Sequence, residues 1–90
     1  LPNEFNWPCM TRSVFFGAYE TLLACLVEAR KASGITQVEL ADQLKRPQSF
    51  VSKFENGDRR IDVVEFIEIC RALGVDPAGI VKSVHSTWPD

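Results

Sequence analysis

The 90-residue sequence has few of the residues that build metal sites and catalytic centres. It holds one histidine, His85, and three cysteines, Cys9, Cys25 and Cys70, which are far apart and include no C-x-x-C pair. Such a set does not supply a usual zinc site, and an odd number of cysteines does not suggest a disulfide framework. We therefore expect no metal, no cofactor and three reduced cysteines in a cytoplasmic setting.

The sequence also lacks the patterns of an enzyme, of a membrane protein and of a β-sheet. No glycine-rich phosphate loop is present, and His85 has no cysteine or serine partner in a catalytic arrangement, so we expect no enzyme. No apolar run approaches the roughly 18 residues that span a bilayer, which predicts a soluble chain. No alternating apolar and polar stretch of useful length occurs, which leaves an all-α fold.

The sequence does contain the periodicity of helices. Apolar residues recur at three- and four-residue spacing from about Ser13 to Ser33, which predicts a long first helix that Gly34 ends. Two capping-box pairs, Thr36 with Glu39 and Asp62 with Glu65, predict the starts of the second and fourth helices.

Prolines and glycines mark the other helix boundaries. Pro47 is expected at the first position of the third helix, because its ring fixes φ and its missing N–H is not needed there. Gly57 ends that helix, and Asp76 with Pro77 begins a fifth. The side chains of the fourth helix that we expect to face inward are Val63, Phe66, Ile67, Cys70 and Leu73.

These patterns divide the chain into three parts. Residues 1–12 form an irregular arm, residues 13–84 a five-helix domain, and residues 85–90 a weakly determined tail. Within the domain, residues 37–56 give two short helices joined by a tight break, and the second of these helices is polar and basic on one side. This arrangement is a helix-turn-helix.

The charge is distributed unevenly along the chain. The net charge is −2, yet the stretch from Lys45 to Arg60 holds five basic residues against two acidic ones, and the rest of the chain holds five against ten. A local positive patch on an acidic body is compatible with a nucleic-acid partner.

The outward side chains of the third helix suit the edges of DNA bases. The amide of Gln48 can pair bidentately with adenine, Lys53 can donate to guanine, and hydroxyls can bond to several bases. A solvated helix face is the alternative interpretation, and DNA readout is preferred because of the motif around it. The candidate base contacts are Gln48, Ser49, Ser52 and Lys53.

The run from Leu26 to Val81 resembles the Cro/cI-type (XRE-family) helix-turn-helix domain of phage repressors and bacterial regulators. The resemblance rests on Arg30, G-I-T-Q at 34–37, E-L-A at 39–41, Ser52, F-E-N-G at 54–57 and A-L-G-V at 72–75. It implies a five-helix, lambda-repressor-like domain with an extended first helix. It also implies a transcriptional regulator, commonly a homodimeric repressor, that binds double-stranded operator DNA.

The resemblance further assigns roles to single residues. Arg30 and Glu55 match a pair that joins the first and third helices. Family members usually have glycine and then an apolar residue in the turn, where this chain has Lys45 and Arg46. Phe50 is expected to pack within the protein rather than contact a thymine methyl group. The expected phosphate contacts are Gln37, Lys45, Arg46, Asn56, Arg59 and Arg60.

Two alternative functions stay open at this stage. One is an antitoxin-like or partner-dependent regulator whose aromatic N-terminal arm docks onto a protein partner. The other is a protein-interaction module that keeps the fold without binding DNA. Aromatic residues of the arm and first helix, with Trp88 near the other end of the chain, are also candidates for an extension of the core or for a two-fold interface. As a DNA-binding protein, the chain would act in the cytoplasm of a bacterium, associated with the nucleoid, and its origin would be bacterial or phage-derived.

Overall fold

The structure is a computed structural model that describes residues 17–88. The predicted arm (1–12), the first residues of the predicted domain (13–16) and the end of the tail (89–90) lie outside the described residues. The described residues form five helices and no strand, so the predicted all-α fold is confirmed. No described helix is long and apolar enough to cross a membrane. The helices are α1 (Ala18–Ala32), α2 (Gln37–Leu44), α3 (Gln48–Asn56), α4 (Val63–Leu73) and α5 (Pro77–His85).

The two predicted capping boxes are confirmed. The Thr36 hydroxyl accepts the Glu39 backbone N–H at 3.1 Å, and the Glu39 carboxylate accepts the Thr36 N–H at 2.8 Å. Asp62 and Glu65 form the same reciprocal pair at 2.7 and 3.0 Å. Because the first N–H groups of a helix have no partner within it, these side chains fix where α2 and α4 begin.

Two helix starts differ from the sequence prediction. Pro47 is the cap of α3 and not its first helical residue, because its ψ of 151° is extended. Its carbonyl accepts the Phe50 N–H at 2.9 Å, so the helix begins one residue later than predicted. Similarly, α1 begins at Ala18, since Gly17 before it is extended, with ψ of 171°.

The turn between α2 and α3 forms without the glycine that relatives use. Lys45 adopts the left-handed conformation, with φ of 58°, and is the only described residue other than glycine with a positive φ. Its N–H donates to the Asp42 carbonyl at 3.1 Å, and the Arg46 N–H donates to the Ala41 carbonyl at 3.0 Å. The turn is therefore closed by backbone hydrogen bonds, at the cost of strain at Lys45.

Replacing Lys45 with glycine should stabilise the fold by roughly 0.5–1 kcal/mol. The left-handed conformation costs an L-residue roughly 1–2 kcal/mol, and the greater chain entropy of unfolded glycine offsets part of that gain. Urea unfolding of the variant measures the difference. Lys53→Gly, the same change inside α3, is the control and should destabilise by about 1 kcal/mol. A lower unfolding midpoint for Lys45→Gly would show that Lys45 is unstrained.

All five helices contribute to the core: α2 packs against α3 and α4, and α1 packs against α3, α4 and α5. The prediction for α4 was wrong at Val63 and Ile67, which are 68% and 40% exposed, and it omitted Ile69, which is fully buried. The buried stripe of α4 instead runs through Glu65, Phe66, Ile69, Cys70 and Leu73. The largest fully buried apolar side chains are Leu26, Leu40, Val51, Phe54 and Ile69.

Two cysteines lie in this core. Cys25 and Cys70 are both buried, and burial raises the pKa of the Cys70 thiol to about 12, so this free thiol is unreactive at neutral pH. Cys25 is disulfide-bonded. The expectation of three reduced thiols is therefore wrong for Cys25.

Candidate nucleic-acid interface

The helix α3 has one buried side and one exposed side. Phe50, Val51 and Phe54 are buried against the rest of the domain. The side chains predicted to contact bases lie on the other side, where three are exposed and Ser52 is half-buried. The exposed members of that set are Gln48, Ser49 and Lys53.

A buried ion pair holds α3 against α1. Arg30 Nε donates to Glu55 Oε2 at 2.7 Å, and Arg30 Nη2 donates to Glu55 Oε1 at 3.1 Å. The remaining fork nitrogen, Nη1, donates to the Ile35 carbonyl at 2.9 Å. The two side chains are only 11% and 5% exposed, so this bidentate pair is nearly removed from solvent.

The same carboxylate begins a chain of hydrogen bonds that ends at the first residue of α3. Gln37 Nε2 donates to Glu55 Oε1 at 2.8 Å, and Gln48 Nε2 donates to Gln37 Oε1 at 3.1 Å. Gln48 keeps one N–H and its carbonyl oxygen, which are the groups that a bidentate pair with adenine needs. The chain Arg30–Glu55–Gln37–Gln48 therefore fixes the direction of an exposed amide. The sequence did not predict either contact of Gln37.

A second cluster surrounds Phe50, which is buried as the packing interpretation expected. The guanidinium carbons of Arg46 and Arg59 lie 4.4 and 4.9 Å from the centre of its ring, within cation–π range. Arg59 Nη1 and Nη2 each donate to a different oxygen of Glu65 at 3.0 Å. Arg46 Nη1 also donates to Glu65 Oε2, at 3.2 Å. The sequence identified Glu65 only as a helix cap.

The positive patch is smaller in the fold than in the sequence. The count of basic and acidic residues from Lys45 to Arg60 leaves out Glu65. In the fold, this carboxylate forms ion pairs with two of the five basic residues, Arg46 and Arg59. Lys45 and Lys53 are exposed and make no ion pair among the described residues. The Arg60 guanidinium lies 4.1 Å over the ring of Tyr19 and is not paired with an acid there. The unpaired positive charge is thus concentrated at three side chains.

The pKa of Glu65 reflects its four donors. The hydrogen bonds from Arg59 lower this pKa from 4.5 to about 2, with help from the Asp62 backbone N–H and from Arg46. The same contact raises the pKa of Arg59. Because its pKa is lower in the folded protein, folding favours the charged form of this carboxylate. Its contribution to stability is fully present above about pH 4.5 and is lost as the pH falls toward about 2.

Glu65→Gln should therefore lower the free energy of unfolding at pH 7 by about 1–2 kcal/mol, since hydrogen bonds to a charged group are lost. The variant should also lose less stability than the wild type between pH 4.5 and 2. Urea midpoints measured across this pH range test both effects. Glu68→Gln is the matched control, because its side chain is 55% exposed and lies 3.9 Å from Arg46. Equal acid sensitivity in the wild type and Glu65→Gln would contradict the assignment.

Two short helices joined by a closed turn, with the polar face of the second helix turned outward on a five-helix frame, define a helix-turn-helix protein. The sequence profile of a family described as helix-turn-helix matches residues 26–80. An XRE-family like protein from Pseudomonas syringae pv. tomato str. DC3000 is 53% identical, with a TM-score of 0.77, over 80% of this chain and 88% of that one. No protein with curated annotation matches the chain. The chain belongs to the XRE family of helix-turn-helix proteins, which are DNA-binding regulators and not enzymes.

Proposed function

We propose that the protein is a sequence-specific transcriptional regulator, a homodimeric repressor that reads the major groove of operator DNA with α3. Its DNA-binding domain spans residues 13–84, with the motif at 37–56, between an N-terminal arm (1–12) and a short tail (85–90). It acts in the bacterial cytoplasm, on DNA of the nucleoid. The base contacts are Gln48, Ser49, Ser52 and Lys53.

The observation that carries this proposal is the chain of hydrogen bonds from Arg30 to Gln48. A free glutamine on a helix surface samples several rotamers, and ordering them on binding costs free energy. Because Gln37 already holds the Gln48 amide, less ordering remains when the amide meets a base. A side chain that only solvates a helix face has no need of such support from three helices.

Six side chains around α3 are proposed to contact phosphates, which sets the register of the protein on the duplex. Lys45 lies in the turn before α3, where its exposed charge has no acidic partner among the described residues. Gln37 retains a donor after binding Glu55. The proposed set is Gln37, Lys45, Arg46, Asn56, Arg59 and Arg60.

Selection of bound fragments from random and genomic DNA, followed by a salt titration of the selected site, tests the proposal. We expect the logarithm of the affinity to fall linearly with the logarithm of the salt concentration, by about 0.9 per phosphate contacted. The selected sites should share a motif, whereas a scaffold that does not bind DNA would enrich none. Salt-independent binding, or no enrichment, would contradict the proposed function.

An exposed apolar face supports the dimer. Val63 on α4, Val81 on α5 and Trp88 after it are 53–68% exposed and line one apolar groove. Contiguous apolar surface of this kind is unusual in a monomer. The sequence suggested Trp88 together with the aromatic residues of the arm and first helix, and residues 1–16 lie outside the described part. Analytical ultracentrifugation should show a dimer. Footprinting on the selected DNA should show two protected half-sites one helical turn apart.

A further inference from the structure

One carboxylate gathers two arginines beside the first turn of α3. Glu65 Oε2 accepts from Arg46 at 3.2 Å and from Arg59 at 3.0 Å, so both guanidiniums meet at a single oxygen. The Glu65 side chain is 11% exposed, while Arg46 is 33% and Arg59 is 42% exposed. The carboxylate therefore lies beneath two guanidiniums that reach the surface, and the Phe50 ring supports both.

The two arginines differ in the donors that they have left. Arg59 uses two N–H groups on Glu65 and a third on the Arg60 carbonyl at 3.0 Å. Arg46 uses one N–H on Glu65, and its nearest contact with Glu68, at 3.9 Å, is too long for a hydrogen bond. Since a guanidinium carries five N–H groups, most donors of Arg46 stay available to an anion.

We propose that Glu65 is a positioning residue for DNA binding, which holds Arg46 and Arg59 together as a clamp for one backbone phosphate beside α3. This inference rests on the proposed DNA-binding function. Two guanidiniums at this separation repel each other, and Glu65 cancels one of their two charges. Most of the Arg46 donors still face solvent, where a phosphate oxygen can accept from them. Because the side chains are already ordered, little rotamer entropy is lost when the phosphate arrives.

The clamp predicts a result that opposes simple electrostatics. Removing a negative charge near DNA should strengthen binding if only the net charge matters. If Glu65 positions the arginines, Glu65→Gln instead weakens binding to the selected site, by about three- to tenfold, and the salt slope falls by about 0.9, the value for one phosphate. A loss of fold stability alone would not change the slope of the folded protein, so the slope reports the phosphate contact itself.

A matched control and a second variant sharpen the experiment. Glu68→Gln makes the same charge change one turn further along α4 and should leave the slope unchanged. Arg59→Lys keeps every charge but lacks the planar fork that donates in parallel to both oxygens of Glu65, so it should weaken binding in the same way as Glu65→Gln. All affinities are measured by fluorescence anisotropy at a temperature where circular dichroism shows each variant to be folded.

The outcomes separate this inference from the proposed function. If wild-type protein shows no salt-dependent DNA binding, the proposed function fails, and the clamp with it. If the wild type binds as expected while Glu65→Gln and Arg59→Lys bind equally well or better, with unchanged slopes, only the clamp is overturned. Weaker binding and a reduced slope in Glu65→Gln, with Glu68→Gln unchanged, supports it.

Discussion

Glu55→Ala is expected to lower the free energy of unfolding by about 3–5 kcal/mol, the range for breaking a buried ion pair by removing one partner. The variant leaves the Arg30 guanidinium, whose side chain is 11% exposed, without the carboxylate that accepts two of its hydrogen bonds. It also removes the acceptor of the Gln37 amide. The cost is therefore that of an uncompensated charge and not merely of one lost contact.

Chemical denaturation followed by circular dichroism measures this loss. Asp58→Ala, a change of the same charge in an exposed loop residue, is the control and should stay within about 0.5 kcal/mol of the wild type. The double variant Arg30→Met, Glu55→Met removes both charges and should lose less stability than Glu55→Ala. A loss of under about 1 kcal/mol for Glu55→Ala would show that the pair is not a structural link between α1 and α3.

Gln48→Ala should weaken binding to the selected operator by about 1–3 kcal/mol, or roughly 5- to 150-fold, because a bidentate pair with a base is lost. Its effect should depend on sequence: the preference for adenine at one position of each half-site should disappear, while binding to unrelated DNA should barely change. Phosphate contacts do not carry sequence information, so they remain and keep the non-specific affinity.

Binding to a set of operators with each base substituted in turn reveals the effect. Gln43→Ala removes the same amide from an exposed position on α2 and serves as the control. Gln37→Ala tests the support of Gln48: in a double-mutant cycle the two changes should cost less together than the sum of their separate effects. Equal losses on every operator, or no loss at all, would mean that Gln48 does not read a base.

The parts of the structure that could be predicted from the sequence are those decided within a few residues. A capping box needs only Thr36 and the residue three positions later, and the left-handed end of α3 needs only Gly57. The start of α3 was misplaced by one residue, because proline suits both the cap and the first helical position. The exposed set at Gln48 and Lys53 was found from helical periodicity and from the family resemblance together.

The missed contacts join residues that are distant in sequence. Gln37 meets Glu55 across 18 positions, and Arg46 meets Glu65 across 19. Neither pairing follows from local propensity, since it depends on how α2, α3 and α4 pack. The exposure of Val63 was missed for a related reason, because the side of α4 that is buried depends on how this helix packs against α1, α2 and α5.

The buried ion pair and the support of the proposed base contact share an atom, since Glu55 Oε1 accepts hydrogen bonds from both Arg30 and Gln37. A substitution of Glu55 that releases Gln37 and Gln48 therefore also removes the buried partner of Arg30. Ser49 and Lys53 are exposed on the same helix and take no part in this hydrogen-bond chain among the described residues. Paralogues that acquire new operators are expected to diverge at those two positions first.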